Sequence, residues 1–200
     1  MKDSFKIISF FVIGVILGIF YTPSLFVFSE NITVYFLYLL LFLIGVNVGG
    51  DEKAKEIIKS INIKTALLPI SIIFGTLLGV GMFSFLIPNL KFTEALAIGS
   101  GFGYYSLSSI LITKISGEAL GVIALLSNIM REIITLLASP LLARYFGKLA
   151  PIASGGATSM DTTLPIIIKS AGKEYVILAV FSGFVLTILV PFFVSFILKF

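Results

Sequence analysis

Two carboxylates lie in the middle of strongly apolar stretches of this chain. Glu132 is near the centre of GVIALLSNIMREIITLLASPLLARY, and Asp161 is near the centre of a stretch that contains SGGATSMDTTLP. A carboxylate at bilayer depth costs at least ~3 kcal/mol on insertion scales, so a membrane segment that keeps one generally uses it for function. We therefore predict that Glu132 and Asp161 belong to an intramembrane functional site.

The residues around Asp161 are typical of a helix that breaks inside a membrane. Residues 154–165 combine two glycines, one proline and five hydroxyl side chains. We predict a break near Gly155 and Gly156 and a second half-helix from about Thr158, whose free N–H groups and positive dipole end would attract a carboxylate. The released backbone groups would be satisfied by the hydroxyls of Thr158, Ser159, Thr162 and Thr163. The alternative is a small-residue packing face, which explains the glycines but not Asp161.

A second segment, GSGFGYYSLSSIL at residues 99–111, has similar features. An offset of 54 residues places Ser108-Ser109-Ile110 on Thr162-Thr163-Leu164. This match indicates either chance similarity or an internal repeat that brings two discontinuous helices to one midplane site, as in secondary transporters. Inverted repeats need opposite directions, whereas a topology in which every segment crosses gives these two the same direction unless one is re-entrant. Tyr104 and Tyr105 either line a cavity or belong to an interfacial belt.

The segment that carries Glu132 has one small and polar helical face. Steps of three and four residues connect Gly121, Ala124, Asn128, Glu132, Thr135 and Ser139. Arg131 is next to Glu132, but neighbours i and i+1 do not face each other on a helix, so a pair between them is disfavoured. We therefore predict that Asn128 and Arg131 contribute to the site instead of merely fastening helices.

The composition indicates a membrane environment. The 200 residues are 58% hydrophobic and 12% charged, with a mean hydropathy of +1.14, whereas soluble domains contain about 25% charged residues. The sequence has no Cys or His, which excludes disulfides, thiolate nucleophiles, histidine bases and nearly all zinc chemistry. It has no P-loop of an ATP-driven pump, and no cofactor is expected. We predict an all-α integral membrane protein with one domain over residues 1–200.

Seven apolar segments can be drawn, each near the ~20 residues that a helix needs to cross a bilayer. They cover residues 5–20, 32–48, 65–87, 94–113, 119–145, 150–169 and 175–198. We expect the fourth and the sixth to be broken at the midplane. The first resembles a signal peptide but lacks a small-residue cleavage site, so it is predicted to be a retained helix.

The basic residues predict the orientation of a multi-pass chain. With the N-terminus in the cytoplasm, nine lie inside, namely Lys2, Lys6, Lys53, Lys55, Lys59, Lys64, Lys114, Lys169 and Lys173. Four lie outside, namely Lys91, Arg144, Lys148 and Lys199. The excess of inner charge favours a cytoplasmic N-terminus and an external C-terminus. Because the basic residues are scattered, nucleic-acid binding is not expected.

Three blocks of sequence, GFGYYSLSSILIT, IALLSNIMREI and GGATSMDTTLPII, resemble in order and spacing the LysO-type lysine exporter family of prokaryotic inner membranes. The resemblance covers nearly the whole chain after the first segment. It implies export of L-lysine in exchange for protons, with a critical intramembrane Glu and Asp pair that maps to Glu132 and Asp161. Full-length members are longer at the N-terminus, so this chain resembles a shorter form. A small membrane subunit or a homodimer would then complete it.

Charge matching agrees with this resemblance. Lysine carries two ammonium groups, which Glu132 and Asp161 would bind, and one carboxylate, which Arg131 or the half-helix at the glycine pair would bind. A buried site requires such neutralisation, and a proton would replace the cation when the substrate leaves. The complete predicted site comprises Tyr104, Tyr105, Ser108, Asn128, Arg131, Glu132, Gly155, Gly156, Thr158, Ser159, Asp161, Thr162 and Thr163.

Other functions would use the same polar residues. A cation/proton antiporter would hold Na⁺ with the two carboxylates and the hydroxyls around them. An intramembrane aspartyl protease needs two catalytic aspartates, whereas this chain offers one Asp and one Glu in apolar segments. A non-transporting partner subunit would leave the polar cluster unexplained.

Overall fold

The computed structural model describes residues 63–88 and 90–199, together with the isolated helical positions Ile16, Tyr35, Leu39, Phe42 and Val46. Throughout these residues the chain forms helices and turns without a strand. Apart from these five positions, the first two predicted segments lie outside the described residues, and so does the N-terminus whose orientation was predicted. The all-α class is thus what the described part of the chain adopts.

The helices are numbered here in chain order. They are α1 (Ile63–Ser84), α2 (Phe92–Gly99), α3 (Tyr105–Ser116), α4 (Glu118–Tyr145), α5 (Ala150–Gly155), α6 (Leu164–Ala171) and α7 (Val176–Ile197). A 3₁₀ turn over Gly156–Met160 follows α5, and another over Lys173–Tyr175 precedes α7.

Three of the described helices are long and apolar enough to cross a membrane. The qualifying stretches are Ala66–Ser84 in α1, Glu118–Tyr145 in α4 and Lys173–Ile197, which includes α7. Each contains a proline, namely Pro69, Pro140 or Pro191. A membrane protein is therefore supported, whereas the predicted count of seven crossings is not confirmed.

The other two predicted segments are divided into shorter helices. Residues 92–116, called segment A below, contain α2 and α3 on either side of residues 100–104. Residues 150–171, called segment B, contain α5, the 3₁₀ turn, residues 161–163 and α6. At about 1.5 Å per residue, the individual helices are roughly 9–18 Å long, which is less than the ~30 Å thickness of a hydrocarbon core.

The two interruptions touch each other through their backbones. The N–H of Ala157 donates a hydrogen bond to the carbonyl oxygen of Phe102, at 2.8 Å. Gly156 has φ 61°, and a Cβ there would collide with this same carbonyl oxygen. Gly103, at φ 98°, lies so close that a Cβ would be 2.9 Å from the carbonyl oxygen of Gly155. Only glycine permits both this conformation and this approach.

The long helices enclose this junction. α3 and α4 are joined through Gly117 and pack so closely at Gly121 that a Cβ would collide with the Thr113 side chain. On the other side, the fully buried ring of Phe102 meets Phe193 of α7 edge to face, with 5.7 Å between ring centroids. The two interrupted segments are thus held between α4 and α7.

This junction predicts a strong dependence on Gly156. We expect Gly156→Ala to destabilise the protein, because positive-φ strain costs about 1–3 kcal/mol and the new methyl group displaces the Phe102 carbonyl. At about 2–4 °C per kcal/mol for a chain of this size, the thermal midpoint in detergent should fall by several degrees. Gly75→Ala is the matched control, because a Cβ there has no heavy atom within 4 Å. Equal midpoints for the two variants would contradict the described junction.

Candidate functional site

Asn128 of α4 fastens the interruption in segment A. Its Oδ1 accepts the N–H of Gly103 at 2.8 Å, and its Nδ2 donates to the carbonyl oxygens of Ile98, at 3.3 Å, and Ala124, at 2.9 Å. The last carbonyls of a helix have no partner within the helix. The buried amide therefore supplies a donor to the end of α2 and an acceptor to the turn that follows it.

Arg131 plays the corresponding part for segment B. Its Nε donates to the carbonyl oxygen of Ser154 at 2.8 Å, and its Nη2 to that of Ala153 at 2.9 Å. Nη1 is 3.5 Å from Oγ1 of Thr76 in α1. A cation at the C-terminal end of a helix satisfies free carbonyls and matches the negative end of the helix dipole. Binding of a substrate carboxylate by Arg131 stays a prediction, and these contacts favour a positioning role instead.

A second polar contact joins α4 to segment B beside Arg131. The hydroxyls of Thr135 and Ser154 are 2.7 Å apart, and Oγ1 of Thr135 is also 2.8 Å from the Arg131 carbonyl oxygen. Ser139 donates to the Thr135 carbonyl oxygen. Thr135 of the predicted polar face therefore contacts segment B, while Asn128 of the same face contacts segment A. Thr76 was absent from the predicted site, because an isolated hydroxyl on an apolar helix carries no spacing signal. Ser154 is one of the five hydroxyls of residues 154–165, but it was not assigned to the site.

The hydroxyls of segment B bond mainly to the backbone around the interruption. Thr158 donates to Gly155 at 3.0 Å, and its Oγ1 is 3.3 Å from that of Thr163. The Ser159 hydroxyl is within hydrogen-bond distance of the carbonyl oxygens of Gly156, at 2.7 Å, and of Ala179 in α7, at 2.8 Å. In segment A, Ser108 donates to Tyr104 at 2.8 Å. These side chains supply donors at both interruptions.

One predicted boundary in segment B was wrong. The second half-helix was expected from about Thr158, but Gly156–Met160 forms a 3₁₀ turn and α6 begins only at Leu164. The backbone bonds from Thr163 N to Thr158 O and from Asp161 N to Thr158 O close this turn. The side chains that were expected on the first turn of a helix instead build the turn that precedes it.

Asp161 lies at the surface of this turn. Its side chain is exposed, and Oδ1 accepts the N–H of Thr162 at 2.6 Å and lies 3.4 Å from the Thr162 hydroxyl. The Tyr104 phenol of segment A is close enough to interact electrostatically with this carboxylate, while Tyr105 is half-buried beside it in sequence. Segment A therefore contributes an aromatic hydroxyl within electrostatic range of the acid of segment B.

Glu132 is partly buried and lies four residues after Asn128 on α4. Among the residues that the structure describes, it forms no hydrogen bond or ion pair, and none joins it to Arg131 or Asp161. A shared cavity for the two carboxylates therefore stays a prediction. Within the same residues, no group of three or more His, Cys, Asp or Glu side chains is arranged to hold a metal ion.

The family model and the two relatives that match this chain all carry the description of a lysine exporter. The family model described as "Lysine exporter LysO" matches residues 8–198. The lysine exporter LysO of Escherichia coli K12 is 34% identical over 198 residues, which cover 97% of this chain and 64% of that protein. A Haemophilus influenzae Rd protein, described provisionally as a lysine exporter, is 33% identical over 187 residues, covering 93% of each chain. The chain thus spans less than two thirds of the E. coli relative. No solved structure matches significantly.

The contacts of Arg131 predict a graded effect of substitution. Arg131→Ala should lower the thermal midpoint strongly, because a carbonyl left unsatisfied away from water costs about 1–3 kcal/mol and the two half-buried carbonyls of Ala153 and Ser154 lose their donors. Arg131→Lys should be intermediate, because an ammonium group cannot reproduce the planar fork. Arg144→Ala, at the exposed end of the same helix, is the control and should change stability little. If Arg131→Ala behaves like Arg144→Ala, the positioning role is wrong.

Proposed function

This chain belongs to the LysO lysine exporter family, and from this premise we propose that it exports L-lysine across the inner membrane. The family consists of transporters and not of enzymes, which sets the aspartyl protease alternative aside. The observation that carries the proposal is the family match over residues 8–198. The geometry around Asp161 supports the mechanism that follows.

Two interrupted segments meeting at one junction suit a transport site. Secondary transporters place substrate and coupling ions at discontinuous helices near the bilayer midplane. Here the Phe102 carbonyl of segment A bonds to the Ala157 N–H of segment B, and the exposed Asp161 lies four residues further on. We place the lysine site beside this junction, with Asp161 and Glu132 as partners of its two ammonium groups.

The charges of such a site balance. Lysine brings two positive charges and one negative charge, and the two carboxylates bring two negative charges. The guanidinium of Arg131 is engaged with the carbonyls of segment B, so it offsets the substrate carboxylate through its field and not by direct contact. Near-neutrality favours the loaded state in a poorly solvated site.

Proton exchange would complete the cycle. When lysine leaves, the carboxylates lose their cationic partners in an apolar environment, and taking up protons avoids the cost of unpaired charges. Protons bound from outside and released inside would then drive lysine outward. Asp161 is the more accessible carboxylate of the pair in this scheme, because its side chain is exposed.

The chain matches one relative over nearly its whole length, since the alignment covers 93% of the H. influenzae protein. The E. coli relative is longer, since the alignment covers 64% of it. We propose that a second copy of the chain or a small membrane subunit supplies the corresponding part, and that lipid covers apolar side chains of the long helices such as Phe74, Leu137 and Phe192. The C-terminus lies outside and the N-terminus in the cytoplasm.

A cation/proton antiporter is the second candidate. It is favoured by the hydroxyl of Thr162 beside the Asp161 carboxylate, since oxygen ligands suit Na⁺ as well as an ammonium group. A transport assay that measures the movement of both labelled lysine and Na⁺ distinguishes the two functions.

Transport by purified protein in vesicles tests the proposal. With the vesicle interior loaded with labelled lysine and an imposed pH gradient, we expect lysine efflux that collapses with the gradient and is unaffected by Na⁺. A candidate small partner, where one is encoded, is added in a parallel sample. Na⁺ movement without lysine movement would replace the proposed substrate with the second candidate.

The carboxylates predict loss of transport without loss of folding. Asp161→Asn and Glu132→Gln should each reduce lysine efflux at least tenfold, while membrane insertion stays intact because removing a charge eases insertion. Asp161→Glu should retain part of the efflux, since it keeps a carboxylate at this position. Glu118→Gln, at the exposed start of the same helix as Glu132, is the matched control. Full efflux by Asp161→Asn would remove this residue from the mechanism.

A further inference from the structure

We infer that segments A and B are re-entrant hairpins that enter the membrane from opposite sides and meet tip to tip. In this architecture neither segment crosses the membrane. The helix α4 passes between them and fastens both tips. The inference concerns the path of the chain and holds whichever cation the protein carries.

Both ends of segment B lie at the C-terminal end of α4. Nζ of Lys148, which follows α4 closely, donates to the carbonyl oxygen of Ser170 in the last turn of α6, at 3.1 Å. The helices α5 and α6 of segment B also pack together, since a Cβ on Gly155 would be 3.5 Å from Cδ1 of Ile167. If segment B crossed, about 30 Å of hydrocarbon would separate its ends. It therefore returns to the side from which it starts.

Both ends of segment A lie at the N-terminal end of α4. α3 leads directly into α4 through Gly117. α2 begins where α1 ends, because the rings of Phe85 and Phe92 stack with 5.8 Å between centroids. Ser84, at the end of α1, and Ile123, in the first turns of α4, line the same cavity of about 270 Å³. Segment A therefore enters and leaves on the side opposite to segment B.

The tips meet at one depth. Asn128 holds the tip of segment A and Arg131 holds segment B, and three residues of helix correspond to about 4.5 Å along its axis. The bond between Ala157 and Phe102 joins the tips directly. Two hairpins from opposite sides thus span the protein together.

This path explains the sequence match at an offset of 54 residues. Adding 54 moves α1 to 117–138, over α4, and moves α4 to 172–199, over α7. It moves α2 to 146–153 and α3 to 159–170, which overlap α5 and α6. Each helix then runs opposite to its counterpart. The described residues thus form two inverted repeats that share α4, and the conflict of directions seen in the sequence disappears.

Corresponding positions lie at the same register, although within the described part of the chain the Ser182 hydroxyl forms no hydrogen bond like those of Asn128. The offset places Asn128 on Ser182 of α7, and both are buried. Next to Ser182, Gly183 packs against segment B so closely that a Cβ would be 2.8 Å from the Ala157 carbonyl oxygen and 2.9 Å from the Met160 nitrogen. In each repeat, the helix that follows the hairpin touches its tip at the same register.

The basic residues agree with the re-entrant path. If both segments crossed, those between residues 63 and 199, apart from Arg131, would divide four and four between the two sides. In the re-entrant path five lie inside, namely Lys64, Arg144, Lys148, Lys169 and Lys173. Three lie outside, namely Lys91, Lys114 and Lys199. The positive-inside rule favours the second distribution, which keeps the C-terminus outside.

The path also gives each tip its own route to solvent, a consequence that rests on the proposed transport. Segment B opens toward the cytoplasm and segment A toward the outside. Displacing one tip at a time would expose Asp161 to alternate sides while α4 stays fixed.

Single-cysteine labelling tests the inference, and the native chain contains no Cys. Ser116→Cys and Lys148→Cys, both at exposed positions, are labelled in intact cells with a membrane-impermeant maleimide. Lys199→Cys and Lys173→Cys are the outer and inner controls, because they keep their sides in both topologies. We expect Ser116→Cys to label like Lys199→Cys, and Lys148→Cys to label only after permeabilisation, like Lys173→Cys.

The reverse pattern, with Ser116→Cys on the side of Lys173→Cys and Lys148→Cys on the side of Lys199→Cys, would show that the segments cross and would overturn the inference. Because labelling reports the path of the inserted chain alone, the expected pattern together with failed lysine efflux would refute the proposed function and leave the hairpins in place.

Discussion

The structure depends on the pairing of backbone groups that two helix interruptions set free in a place where water is scarce. An unpaired carbonyl or N–H group in such surroundings costs several kcal/mol. One helix, α4, supplies the missing partners, because its residues Asn128 and Arg131 form hydrogen bonds with the backbone at the two interruptions. The amide can both donate and accept, and it serves the turn where both kinds of group are free. The guanidinium only donates, and it serves the end of α5, where two carbonyls need donors.

The approach of the two interruptions follows from this pairing. Once both are fastened to α4 within one helical turn, their backbones meet, and Gly103 and Gly156 leave room for the contact. The Asp161 carboxylate is then exposed on the outer side of a closed turn, within electrostatic range of the Tyr104 phenol. The proposed lysine site therefore uses a geometry that backbone satisfaction already imposes. The hydroxyls of Thr158 and Ser159 complete the pairing of the backbone, because they donate to the carbonyl oxygens of Gly155 and Gly156.

The sequence predicted correctly those features that depend on residues close together in the chain. The glycine pair before Asp161 predicted an interruption, and helix α5 does end at Gly155. The polar face of α4 was predicted from steps of three and four, and Asn128, Thr135 and Ser139 are indeed buried. The start of α6 was misplaced, because the competition between a 3₁₀ turn and an α-helix at residues 156–163 depends on contacts with α7, such as that from Ser159 to Ala179. The family resemblance was confirmed by the match over residues 8–198.

The sequence by itself predicted an all-α membrane protein with two interrupted segments, because composition and helical periodicity are properties of neighbouring residues, and the described residues are helical without a strand. The path of the interrupted segments was decided by the tertiary structure. An apolar stretch of about 20 residues satisfies hydropathy equally well whether it crosses the membrane or turns back, and only a through-space contact such as Lys148 to Ser170 distinguishes the two. The partners of Arg131 were decided in the same way, since a charge in an apolar segment requires compensation but does not specify whether a substrate, a carboxylate or a helix end provides it.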